Sequence, residues 1–209
     1  MKLSTDSVFS LNETLQTIKK RHSVRSFTER EVSDDLINIL LQAANEAPSA
    51  HNQQPWRFIV TRAKKKQELA HLVTSHAGNF PKPASALLRM AARSIVSAPV
   101  VIAAANTGEL IEHGTQLFKI EKEMAKDFFR TMEIQSSAAA VENLLLAATS
   151  LGLATVWLGI LFLMKDDVLQ LLGEPKGEFM AVVPVGYAAK PSIGPQKKPL
   201  EMKVRYLRL

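Results

Sequence analysis

Residues 144–164 run for 21 positions without a charged side chain, and what that stretch becomes decides the fold class. About twenty apolar residues suffice for a helix to span the hydrocarbon core of a bilayer. This stretch changes character midway. Residues 144–153 are rich in Leu and Ala with helical spacing and are interrupted at Gly152, whereas 154–160 are β-prone and carry Gly159. No cluster of Lys, Arg or aromatic residues flanks the stretch as an interfacial anchor would. A buried helix followed by a buried strand is expected, not a membrane span.

Other punctuation gives the remaining elements. The spacing of Ser10 and Glu13 makes a capping box and predicts a first helix from Ser10 to about 21–23, with Leu11, Leu15 and Ile18 on one face. Ser33 followed by Asp34 and Asp35 predicts a second helix, stopped by Pro48. Strands are expected at 56–61, 99–105, 154–158 and 179–185, and helices at 64–73, 84–96, 116–131, 134–151 and 166–172. With no repeat and no linker long enough to divide the chain, residues 1–209 are expected to form a single α+β domain. Residues 191–209 read as an extended C-terminal tail. Its apolar Ile193, Leu200, Val204, Tyr206 and Leu207 call for a surface to pack on, either a partner subunit or the chain's own body.

Composition removes several kinds of chemistry. The absence of cysteine excludes disulfides, thiolate metal sites and thiol redox chemistry, so redox work here requires a bound organic cofactor or non-thiolate ligands. The five histidines show no ligand spacing, and no metal is expected. Residues 1–10 contain no apolar run of the secretory kind, and a reducing, cytoplasmic location is expected. The net charge of +6 is concentrated in the tail (Lys190, Lys197, Lys198, Lys203, Arg205, Arg208) and around Lys19-Lys20-Arg21 with Arg25. Such patches suit nucleic acid, an anionic membrane or a phosphorylated small molecule. Without zinc-finger or RNP spacing, and with 6% aromatics, nucleic acid is the weakest of these.

Two segments carry recognisable chemistry. Arg21-His22-Ser23-Val24-Arg25-Ser26 offers two guanidinium groups and two hydroxyls at a helix-to-loop junction, a donor set matched to a phosphate monoester. A basic helix end is also ordinary where nothing binds. Residues 47–58, Ala-Pro-Ser-Ala-His-Asn-Gln-Gln-Pro-Trp-Arg-Phe, contain Asn52 and Gln54. Pro55 biases Gln54 toward extended backbone, where both carboxamides point to one side. Each offers a donor and an acceptor, suiting the alternating edge of a flat heterocycle or a chain of hydroxyls. Trp56 reads as packing.

These two segments, with Leu151-Gly152-Leu153 leading into Ala154-Thr155-Val156-Trp157-Leu158-Gly159 and with FMAVVPVG at 179–186, resemble the signatures of the nitroreductase family. The resemblance spans about residues 17–204. It implies a three-layer α+β fold in which helices flank a central, mostly antiparallel sheet and the tail packs on the partner subunit. It also implies a homodimer with FMN at the subunit interface. By position, Arg21, Ser23 and Arg25 would hold the phosphate, with His22 contributing backbone and Lys197 and Lys198 joining from the tail. Pro48, Ser49, Asn52 and Gln54 would contact the ring and ribityl chain, some of them from the partner. Leu158 and Gly159 would offer backbone amides near flavin N5, and Arg93 a cation near N1 and O2. NADH or NADPH would deliver hydride to FMN and leave. A nitroaromatic, a quinone or another electron-poor acceptor would then take its place, no side chain acting as nucleophile or base. Oxidation of a specialised metabolite, or flavin binding without turnover, stays open.

Overall fold

The structure, a computed structural model, describes residue 10, residues 12–118 and residues 121–207. Four strands, β1 (Trp56–Thr61), β2 (Val100–Asn106), β3 (Ala154–Thr155) and β4 (Glu178–Gly186), form one sheet in the order β1-β2-β4-β3. Every neighbouring pair is antiparallel. β2 lies inside the sheet and every one of its residues is buried, as its continuous apolar run dictates.

The alternation of side chains along β2 separates two cores. Val101, Ala103 and Ala105 face α3 (Ala63–His76) and α4 (Lys82–Ser97) through Leu69, Val73, Leu88 and Ile95. Val100, Ile102 and Ala104 face α2 (Asp34–Asn45) and α6 (Lys122–Ser150) through Leu40, Ala44, Val141 and Leu144. Helices thus cover both faces, giving the expected three layers. A bulge in β4 shifts the register between Ala104 and Ala105 and puts Phe179 on the same face as Val182.

The uncharged stretch is divided as its composition requires. α6 ends at Ser150, and Gly152 turns left-handed (φ +73) while the Leu153 amide donates to the Ala148 carbonyl at 2.8 Å. Such a closure satisfies orphan helix carbonyls and favours glycine. Among the described residues no helix is long and apolar enough to cross a membrane. β3 is shorter than expected; its direction continues to Leu158, whose amide donates to Val182 O at 2.9 Å, before a 3-10 turn at Gly159–Met164. α7 (Lys165–Leu172) then leads to β4.

Three helix expectations are corrected. The first helix, α1 (Glu13–Lys20), is capped by Asn12, whose side chain accepts from Leu15 N at 2.9 Å, and not by Ser10; Leu11 lies outside the described residues. The helix expected at 116–131 is the end of α5 (Glu109–Phe118) and the start of α6. Glu121 starts α6 by accepting from the amides of Glu123 (3.0 Å) and Met124 (2.8 Å). The stripe expected to be buried is then exposed at Met124 (63%) and Phe128 (47%), and Ala125 and Phe129 are buried instead. α6 also absorbs the helix expected at 134–151 and runs for 29 residues.

Candidate cofactor site

α1 ends where the Arg21 amide donates to Thr17 O (2.9 Å) and the chain turns extended. Residues 23–28 then run along the open edge of the sheet. Ser23 bridges Thr155, the Val24 amide donates to Thr155 O (2.9 Å), and the Thr28 amide donates to Tyr187 O (2.8 Å). This pairing caps the β3 edge. It also sorts the side chains: Phe27 enters the core, while Ser23 and Arg25 point to solvent.

Arg25 lines a hollow of about 140 Å³ with Leu158 and Gly159 of the β3 exit and with Leu87 and Met90 of α4. Arg93 is exposed on α4, one helical turn past Met90. The Leu158 amide donates to Val182 O at 2.9 Å, so it is already engaged within the sheet, whereas its expected role needs it free. Gly159 opens the 3-10 turn, so its amide has no partner within that turn. Arg21 is turned toward α6, its Nε 3.6 Å from Glu142 Oε1, and its side chain is 22% exposed. His22 uses its ring as well as its backbone: Nδ1 donates to Lys20 O (2.8 Å), and Nε2 bonds Ser192 Oγ (2.7 Å). Lys197 and Lys198 are exposed, a few residues further along the tail.

The carboxamide segment is not extended. Residues 50–52 form a 3-10 turn, and His51 (φ +53), Asn52 (φ +54) and Gln54 (φ +50) all lie in the left-handed region. That backbone costs on the order of 1 kcal/mol per non-glycine residue and clusters at binding sites. It is held from three sides. Ser49 Oγ accepts from Gln54 N (3.0 Å), Ser136 Oγ of α6 accepts from Ala50 N (3.2 Å), and Trp56 Nε1 donates to Asn45 Oδ1 (3.1 Å). Trp56 is buried as packing, against Ala47 and Ala140. The two carboxamides still meet, Gln54 Nε2 donating to Asn52 Oδ1 at 3.1 Å. Asn52 Nδ2 and Gln54 Oε1 have no partner among the described residues, so the pair keeps a free donor and a free acceptor. Pro48 and Ser49 precede the turn at the end of α2.

The two arms lie at opposite corners of the sheet. Asn52 and Gln54 precede Trp56, which pairs with Asn106 on the β1 edge, whereas Ser23 pairs with Thr155 on the β3 edge, in the row of Val185 and Val100. Three strand spacings of about 4.8 Å and some six residues of about 3.3 Å separate these corners by roughly 25 Å. Arg25 and Gln54 accordingly line separate hollows, the second with Asn38, Asn45 and Trp56.

Sequence reading passed over three residues on α6. Ser136 fixes the carboxamide turn and Glu142 faces Arg21. Glu133, 1% exposed, accepts from the amides of Gly108 (3.2 Å) and Leu110 (2.9 Å) at the start of α5. The signal was available for Glu133 and Ser136, which interrupt an otherwise apolar helix stripe and are buried there.

Residues 18–187 match the model of the nitroreductase family. A protein of Archaeoglobus fulgidus, provisionally named an NADH dehydrogenase/NAD(P)H nitroreductase, is 30% identical over 182 residues, covering 85% of this chain and 86% of its own. One of the same provisional name from Methanothermobacter thermautotrophicus is 31% identical over 188 residues, 88% and 82% of the two chains. Among solved structures, a provisionally assigned nitroreductase of Desulfovibrio desulfuricans in complex with FMN superposes with a TM-score of 0.70 at 26% identity, over 95% of this chain and 98% of that one. The three-layer fold, the order of the motifs and these similarities together place the chain in the nitroreductase family of oxidoreductases.

Proposed function

We propose that the protein is a homodimeric, cytoplasmic, FMN-dependent oxidoreductase that takes hydride from NAD(P)H and passes electrons to nitroaromatics, quinones or similar acceptors. Residues 1–209 act as one FMN-binding domain. The observation that carries the reading is the division of the donor set between two corners. A phosphate-binding arm (Arg21, Ser23, Arg25) and a ring-binding arm (Asn52, Gln54) start from different corners of the sheet, Arg25 and Gln54 lining separate hollows, and a second copy would supply the arm that each lacks.

The donor set fits FMN. Guanidinium and hydroxyl groups suit the phosphate. The free donor of Asn52 and the free acceptor of Gln54 suit the C=O/N–H alternation of the flavin pyrimidine edge. Pro48 and Ser49 would bring backbone near the ring, the Gly159 amide would face N5, and Arg93 would set a positive charge toward N1 and O2. Lys197 and Lys198 would join the phosphate from the tail. When bound, FMN supplies the two-electron redox chemistry, and this chain's residues bind, orient and polarise it. The related structure that holds FMN and the two relatives named for NAD(P)H support the choice of cofactor and reductant.

Anaerobic addition of NADPH or NADH to the flavin-loaded protein is the test. Bleaching of the oxidised-flavin absorbance, reversed by menadione, is expected. A flavin that stays oxidised under both nucleotides would leave a binding protein without turnover.

A further inference from the structure

We propose that the imidazole of His22 is a clasp that fixes the start of the C-terminal tail and so completes the phosphate end of the cofactor site. The proposal rests on the FMN reading above and assigns a positioning role to a side chain that the motif itself would use only through its backbone.

Three observations converge on this ring. Nδ1 faces the Lys20 carbonyl, which can only accept, so Nδ1 carries the hydrogen. In the neutral ring Nε2 then accepts from the Ser192 hydroxyl at 2.7 Å, across 170 residues of sequence. Two residues on, a Cβ at Gly194 would stand 2.8 Å from His22 Cβ, a contact only glycine permits. The tail is therefore seated on His22 by a hydrogen bond and by a close backbone approach.

A second attachment sets the direction of the tail. Ala188 bridges Phe27 in antiparallel sense, and the Ala189 amide donates to Ser26 O at 3.0 Å. Between the pairs Phe27–Ala188 and His22–Ser192 the tail retraces the basic motif backward. Residues beyond Gly194 are thus led past Arg21 and Lys20, and Lys20 and His22 line one hollow with Ser192 and Gly194. Lys197 and Lys198 follow Gly194 by three and four positions, a span of at most about 14 Å of extended chain. With the clasp shut, their ammonium groups are confined near the guanidinium groups on either side of His22. With it open, the same lysines sample a long tail, and the phosphate loses the advantage of a prepared site.

Dissociation constants for FMN and riboflavin, measured by flavin fluorescence on the flavin-stripped full-length protein, separate the possibilities because riboflavin lacks the phosphate. Ser192→Ala, at an exposed position, and His22→Phe should each weaken FMN about three- to tenfold and leave riboflavin unchanged. His22→Gln, which keeps a polar tip, should recover most of the loss. Adding His22→Phe to a Lys197→Gln/Lys198→Gln protein should cost nothing more. Unchanged FMN affinity in both Ser192→Ala and His22→Phe would overturn the clasp, as would equal losses for the two flavins or multiplied losses in the combined variant. Arg21→Ala is the separate control: if it leaves FMN affinity intact, the phosphate reading itself has failed.

Discussion

At Arg21 a guanidinium faces a half-exposed carboxylate, Glu142, at 3.6 Å. Such a pair contributes about 1 kcal/mol or less, which a phosphate can readily replace. Arg21→Ala should weaken FMN binding roughly ten- to a hundredfold, the range of one charge-assisted contact, and leave the far-ultraviolet circular dichroism unchanged. Arg21→Lys should restore it only in part, since an ammonium lacks the two-pronged geometry. Equilibrium titration of the stripped protein decides both. Glu133 allows a prediction about pH. Its burial, which outweighs the amide donors of Leu110, Ile111 and Gly108 and is assisted by Glu178 of β4, holds its carboxyl above the usual carboxylate range. Glu178 is itself paired with Arg130, at 2.8 Å from its Nε. The folded state thus binds this proton more tightly than the unfolded state does. Its stabilising contribution is complete below the unfolded value of about 4.3 and is lost as pH rises through the raised folded value. Urea unfolding between pH 4 and 8 should show this component in the wild type and lack it in Glu133→Gln.

Among the elements, Gly152 allows a clean test because a Cβ there would meet nothing within 4 Å and the cost is conformational alone. Gly152→Ala should destabilise the protein by about 1–2 kcal/mol and lower the thermal midpoint by a few degrees. An unchanged midpoint would count against the left-handed closure of α6. The same glycine explains why so much of the fold could be read from sequence. A helix-period run, a glycine and a β-prone run leave one interpretation, and β1, β2 and β4 are legible for the same reason. The α5–α6 junction was not legible. Met124 and Phe128 sit at helical spacing, but spacing cannot tell which stripe faces inward, and a glutamate cap at Glu121 is an uncommon signal. The carboxamide turn was legible in its residues and not in its backbone. Pro55 argued for extended chain, yet Ser49 and Ser136 accept hydrogen bonds from the amides of Gln54 and Ala50 around the left-handed His51, Asn52 and Gln54, and Ser136 lies 84 positions away from Asn52 in the chain. Side chains that act across such separations, Glu142 and Ser192 among them, leave no local trace.

For the whole molecule, the proposed function gives one chain two half-sites, and the apolar side chains of its tail find little cover. Ile193 is 98% exposed and Leu200 67%. Burial of such groups against a second copy would contribute about 25 cal/mol per Å² and would join the arms. The full-length protein should therefore sediment as a dimer, and removal of residues 195–209 should shift it toward monomer with loss of flavin. Mixed dimers test the central claim most directly. Arg21→Ala and Asn52→Ala chains, each deficient alone, are combined, the hetero-dimer is isolated through two different tags, and its bound FMN is counted. If each site takes its phosphate arm from one copy and its ring arm from the other, one site regains both intact arms and the hetero-dimer binds about one FMN per two chains. Flavin binding no better than in either parent would contradict the shared site.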